Sequence, residues 1–374
     1  MSQASQKSAG PLLRDRFTGC ILGGAAGDAL GAPVEFMRLN EIRTRFGNAG
    51  IRDFVPAYGR LGAITDDTQM TLFTAEAMIR SHMRSIDRGM CSIETVTANA
   101  YQRWLLTQGE RSSCDVFIQK WPGWLYGHAS LHQRRAPGNT CLGALRSASS
   151  LGALADNNSK GCGAVMRMAP VGLAGLRFGW DSSYVMQLGA NLGHLTHGHP
   201  TGYLSAGAFA VMIHAIVGCE TLNDAAQQAL DCLRRHEGHE ETTRAVTLAL
   251  ELANSDAPTD RAIRQLGEGW IGEEALAIGF YCAAVGKSLE EGVVLAANID
   301  GDSDSTGSIA GNLLGALHGR DSIPLRWLNA LELRDVTEEI AGDLHDCVTW
   351  GRDELGTMDL TDVIRLRETK YPPN

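Results

Sequence analysis

The sequence contains no uninterrupted apolar stretch approaching the roughly 18 residues that suggest a membrane span, so no membrane association is expected. Its opening segment, MSQASQKSAGPLLRDR, lacks the apolar core of a secretory signal, and residues 1–13 read as a short disordered lead-in. There is no CxxC pair. The nine cysteines (Cys20, Cys91, Cys114, Cys141, Cys162, Cys219, Cys232, Cys282, Cys347) are odd in number and scattered, which excludes a disulfide framework or zinc ribbon and points to buried thiols in a reducing cytoplasm. Basic residues are not in excess: 33 Lys and Arg against 43 Asp and Glu give a formal net charge of -10, which argues against a nucleic-acid partner. A small anionic ligand stays open, because a ligand meets a pocket and not the sum. No Pro/Gly/Ser linker or charge block divides the middle. The 374 residues, 44% hydrophobic and 20% charged, therefore read as one domain over 14–369, ending in a short tail at 370–374.

What is present is helical. Apolar residues recur at helical spacing over 201–217, 221–235, 240–254, 272–286 and 304–318, each run bounded by Gly, Pro or Asx turns. Alternating strand patterns are scarce, and VPAYGRLG and IRDF look like loops. The expected architecture is a compact all-α assembly. Glycines fall four apart at Gly19, Gly23, Gly27 and Gly31, and again at Gly307, Gly311 and Gly315. Each helical glycine costs about 1 kcal/mol against alanine, so both stripes predict close backbone packing. Neither is a nucleotide fingerprint, since there is no GxGxxG after a strand and no GK[ST].

The stretch AITDDTQMTLF sets Asp66 and Asp67 between Thr65 and Thr68, just before apolar residues Met70, Phe73, Ala77 and Met78. Read alone it is a helix cap, because Thr and Asp suit N-caps and carboxylates suit the positive helix end. A second acidic turn, IDGDSDSTGS, carries Asp300, Asp302, Asp304, Ser305 and Thr306 before another helix. It fails as an EF-hand: counted from Asp300, Ser305 stands where glycine is needed and Gly311 where a bidentate glutamate is needed. If the two turns converge, their carboxylates repel unless a cation sits between them. Oxygen donors without His or Cys suit Mg²⁺ or Mn²⁺, and four carboxylates suffice for two ions about 3.5–4 Å apart. In GDALGAPVEF, Asp28 reads most simply as a local cap or pair, and Glu35 as a solvated loop residue.

Taken together, GCILGGAAGDALGAPVEF, TDDTQM and GDSDSTGSIAGNLLGA resemble the ADP-ribosylglycohydrolases, and KGCGAVMRMAPVGL and THGHPTG look like that family's intervening segments. The resemblance spans roughly residues 14–351. It implies an all-helical single domain with a dinuclear Mg²⁺ or Mn²⁺ centre held by Thr65, Asp66, Asp67, Asp302, Asp304 and Ser305. Many members have GGDTDT where this chain has GDSDST, so Ser305 replaces a threonine and keeps the hydroxyl. That version looks more like the arginine-linkage hydrolases than the serine-linkage ones.

The implied reaction is hydrolysis of an ADP-ribosylated protein at the arginine N-glycosidic bond, with Glu35 or Asp67 as the base. Gly161 and Gly163 open a helix and can cradle a diphosphate, against the reading of an ordinary turn. His194, His197 and His199 lack the spacing of a helical zinc site; by resemblance His197 lies near the substrate ribose. Trp270 is either a core aromatic or a wall of the cleft, and Pro137–Thr140 is a candidate rim. His236 and His239 read as a solvated face. Alternatives are hydrolysis of O-linked, free or nucleobase-linked ADP-ribose, and a non-catalytic or structural relative. An ADP-ribosyltransferase toxin is a conceivable partner, with the lead-in as a reaching arm.

Overall fold

The computed structural model of the chain describes residues 12–111, 123–350 and 366–372. Among them every regular element is helical, and pairing outside helices is confined to two isolated bridges, Ala57 with Arg60 and Gly161 with Ile271. The five expected helices form as Pro200–Val217, Leu222–Leu233, Glu240–Ala253, Gly272–Val285 and Ser303–His318. Thr221 starts the second of these with a reciprocal capping box to Asp224. The all-α expectation holds. Most of the lead-in, residues 1–11, lies outside the described residues. The expected tail does not begin as a tail: Tyr371 is buried, donates to Asp343 at 2.7 Å and stacks on Trp350.

Pro200–Val217 corrects the reading of the longest apolar run. At 18 residues and mean hydropathy 1.4 it is long and apolar enough, by length and composition, to cross a membrane. It is instead packed inside, with 83% of that window buried, and Pro200 at its first turn starts it after His199.

The two glycine stripes meet. The Leu13–Gly31 and Ser303–His318 helices run antiparallel, with Gly19 against Gly315, Gly23 against Gly311 and Gly27 against Gly307. A Cβ at any of these positions would fall well inside contact distance of the facing carbonyl. At the next step Gly31 faces the Ser303 carbonyl and the Asp304 N–H, so the interlock fixes where the acidic turn sits. Asn312 adds a cross-link, donating to the Cys20 carbonyl at 2.7 Å. Gly311→Ala is expected to cost about 2 kcal/mol: overpacking against backbone, toward the upper end of about 1–3 kcal/mol, outweighs about 1 kcal/mol of helix propensity gained. Urea unfolding with a lowered midpoint checks this; an unchanged or raised midpoint refutes it.

Candidate active site

The Asp66–Arg88 helix starts at Thr65, whose side chain accepts from the Asp67 N–H at 3.3 Å, and ends at left-handed Gly89. Its buried face carries the expected Met70, Phe73, Ala77 and Met78. The local capping reading is thus correct for Thr65, which is fully buried behind the cleft wall. The loop is also held from far away. Asp28, on the glycine helix, accepts from the N–H groups of Thr65 and Thr68 and from the Thr68 hydroxyl at 2.5 Å. Asp28 is therefore a buried brace between distant segments, not a local cap. On the preceding residue, Glu332 accepts from the Ile64 N–H while Arg135 donates to the Ile64 carbonyl, and the two side chains form a buried ion pair.

The second acidic turn opens the Ser303–His318 helix with Asp302 as N-cap, accepting from the Ser305 N–H at 3.3 Å. Asp302 also accepts from the Cys162 thiol at 2.8 Å, which burial and this carboxylate keep protonated. Asp300 points elsewhere: it accepts from the Leu39 N–H and pairs with Arg264.

The two turns converge on one cleft of about 390 Å³. Asp66, Asp67, Asp302, Asp304, Ser305 and Glu35 line it, and Gly161, Gly163, His197 and Trp270 complete it, with Pro137–Thr140 at its edge. Asp66 accepts from the Gly138 N–H at 3.2 Å, tying that edge to the acidic wall. A second cavity of about 380 Å³ adjoins at Asn139 and Thr140. One sequence reading changes here and one open alternative is decided. Glu35 is not solvated but 7% exposed, and Trp270 is the cleft-wall alternative: it is 38% exposed and stacks on Phe36, with ring centroids 5.8 Å apart. Phe36 is 74% exposed beside Glu35, and no sequence signal marked it beyond that adjacency. The three histidines separate. His194 stacks on Tyr203, His199 caps its helix by accepting from the Thr201 N–H, and only His197 faces the cleft. His236 and His239 are half-buried at a turn, the latter bonded to Thr243, so that face is not fully solvated.

Burial and then mutual repulsion raise the acids. Asp66 and Asp67 are pushed well above the usual carboxylate range by desolvation and by the Asp304 charge, and Asp304 by desolvation and by Asp302. Asp28 rises to about 7, through burial and Asp304, against the pull of its hydrogen bonds from Thr68 and Thr65. Glu35 rises to about 11 through burial, then Asp304, Asp302, Asp66 and Asp28. Glu35 Oε2 and Asp67 Oδ1 have no hydrogen-bond partner among the described residues. Such a cluster is either protonated or neutralised by cations. Its unpartnered oxygens and all-oxygen donor set fit hard divalent ions. No three His, Cys, Asp or Glu side chains among the described residues are grouped tightly enough to cage a single ion.

The site of this all-helical fold is thus an acidic cleft built on two helix N-termini, with a glycine loop and an aromatic wall. The family model for ADP-ribosylglycohydrolase matches residues 9–353, and the chain belongs to that family. It is 26% identical over 333 residues to the ADP-ribosyl-[dinitrogen reductase] glycohydrolase of Rhodospirillum rubrum, covering 87% of this chain and 93% of that protein. It is 23% identical to the ADP-ribosylarginine hydrolase Tri1 of Pseudomonas putida, covering 89% of this chain and 78% of that one. The match to the ADP-ribosylhydrolase ARH3 of Bos taurus is 28% identical but covers only 50% of this chain and 58% of that one.

Glu35 makes one separable contribution to the pH dependence of the ion-free protein. Its folded-state value lies above the ordinary 4.5, so its contribution to stability is full below 4.5 and lost as pH rises through about 11. Glu35→Gln removes that loss. In chelator, urea melts should show the variant gaining on the parent steadily as pH rises across that window; a constant difference refutes the assignment.

Proposed function

We propose that this chain is a divalent-metal-dependent hydrolase that cleaves the N-glycosidic bond between ADP-ribose and a protein arginine, reversing mono-ADP-ribosylation. The observation that carries the reading is the convergence of Glu35, Asp66, Asp67, Asp302 and Asp304, buried and mutually repelling, on one cleft. In this reading Asp66, Asp67, Asp302, Asp304 and Ser305 hold two Mg²⁺ or Mn²⁺ ions, with Thr65 behind them at the base of the loop. Such ions, when bound, neutralise the carboxylates and supply Lewis acidity at the ribose.

The chain's own groups take the other roles. Cleavage at the ribose carbon passes through an oxocarbenium-like state, which a carboxylate-lined wall favours electrostatically. Glu35, protonated in the ion-free cleft, would be held ionised by neighbouring cations, and in that state it takes the proton of the attacking water. Both it and Asp67 keep an unpartnered oxygen on the cleft, and it is preferred because in this reading Asp67 is committed to the metal wall. The diphosphate lies along the Gly161–Gly163 loop beside His197, and the cavity beyond Asn139 and Thr140 has room for the rest of the nucleotide. Phe36 and Trp270, stacked within 16° of parallel next to the acids, suit a planar cation. This favours a guanidinium leaving group over a neutral hydroxyl, in line with Tri1. The eight described cysteines are free, which supports a reducing, cytoplasmic setting. Protection against an ADP-ribosylating toxin is one use of this chemistry.

Proteins labelled with ADP-ribose on arginine or on serine test the proposal. Label should leave arginine only, with Mg²⁺ or Mn²⁺ present, and be retained in EDTA and by Asp66→Ala or Asp304→Ala. Glu35→Gln should lower kcat by about 10²–10⁴-fold with KM little changed. Trp270→Ala should instead raise KM for the arginine substrate by about threefold to tenfold. Full turnover in chelator overturns the metal dependence, and release from serine alone overturns the linkage.

A further inference from the structure

Behind the cleft lies a buried cation that the reaction as derived does not use. Arg167, at the end of the Cys162–Arg167 turn, is fully buried, with its guanidinium carbon 4.3 Å from the Tyr101 ring centroid. It donates to Thr196 Oγ1 at 2.7 Å and makes a longer contact to the Leu192 carbonyl at 3.4 Å. Thr196 Oγ1 lies 2.8 Å from His197 Nδ1 and 3.4 Å from the Gly193 carbonyl. The other edge of the His197 ring lies along the glycine loop: a Cβ on Gly161 or Gly163 would come within 3.4 or 3.5 Å of Nε2. His197 also lines the cleft.

The direction of each hydrogen bond in this chain follows from donor chemistry. A guanidinium only donates, so Thr196 Oγ1 must accept from Arg167. Its single O–H then points at the nearer acceptor, Nδ1 at 2.8 Å, in preference to a carbonyl at 3.4 Å. A proton on Nδ1 would displace that bond and aim a positive N–H dipole toward the arginine. The bare nitrogen is therefore Nδ1 and the protonated one Nε2. We propose that Arg167, acting through Thr196, fixes His197 as the neutral Nε2–H tautomer, giving the cleft a permanent hydrogen-bond donor for an oxygen of the nucleotide lying on the Gly161–Gly163 loop. The nucleotide acceptor rests on the functional reading above; the tautomer does not.

The consequence is specific. A histidine beside a diphosphate ordinarily gains a proton and becomes a second cation. Here burial and the Arg167 charge hold the ring far toward neutrality, at about 3. The other groups facing it are the Cys141 thiol, kept protonated by burial, and the carboxylates across the cleft. His194 and His199, on its own segment, are engaged with Tyr203 and the Thr201 N–H. Arg167 and Thr196 are positioning residues; His197 alone touches the ligand.

The test is a side-chain ¹⁵N–¹H correlation spectrum of the full-length protein labelled at histidine, with and without ADP-ribose. Wild type should show one His197 form, Nε2 protonated and Nδ1 bare, unchanged from about pH 5 to 8 and on ADP-ribose addition. Thr196→Val should release the lock, mixing the two tautomers and weakening ADP-ribose binding by about threefold to tenfold. Thr196→Ser, which keeps the hydroxyl, should restore both. A wild-type Nδ1–H form, a doubly protonated ring in the complex, or an unchanged spectrum in a folded Thr196→Val overturns the proposal. Should Thr196→Val fail to fold, the wild-type and Thr196→Ser spectra decide alone. An expected tautomer in a protein that does not bind ADP-ribose supports the lock and overturns the functional reading instead.

Discussion

The structure depends on backbone meeting backbone between two helices from opposite ends of the chain. Where Gly19, Gly23 and Gly27 face Gly315, Gly311 and Gly307, no side chain separates the helices. The spacing is set by peptide groups, which are rigid, and not by rotamers, which adjust. That rigidity is passed to the chemistry: Asp28 leaves one helix to brace the Thr65–Thr68 turn, and Asp302 and Asp304 open the other. A small slide of one helix along the other would move two of the acidic residues relative to the rest.

The acidic cleft is costly to the protein that holds it. Desolvated carboxylates within reach of one another oppose folding, and the Glu332–Arg135 pair and the Asp28 hydrogen bonds hold the loops against that repulsion. The repulsion is concentrated where cations would relieve it, so ions bound there would raise stability through the same side chains. A structural relative without chemistry would have no reason to bury five acids along one wall.

Much of the fold was legible because it is local. Helix spans followed from apolar periodicity, and both acidic turns from their position before such runs. The glycine stripes announced close packing, though not the partner. What stayed hidden was long-range. Nothing near Glu35 in the sequence indicates that Asp66, Asp302 and Asp304 will surround it, so a loop carboxylate read as solvated turned out buried. Asp28 looked like a local cap because its partners lie 37 and 40 positions away. Phe36 and the Arg135–Glu332 pair carry no motif. Asp300 shows the same limit: it sits inside an acidic turn, yet it accepts from the Leu39 N–H and does not line the cleft.

The union of the first and last thirds of the chain also bears on how the molecule comes into being. Asn312 reaches a carbonyl 292 residues earlier, and Arg14 pairs with Asp346 across 332. Contacts of that sequence separation delay folding, and a chain emerging from the ribosome must shelter its first, glycine-rich segment until nearly all the rest has been made. Shortened products of interrupted translation would therefore carry the Gly161–Gly163 loop but never a complete acidic cleft.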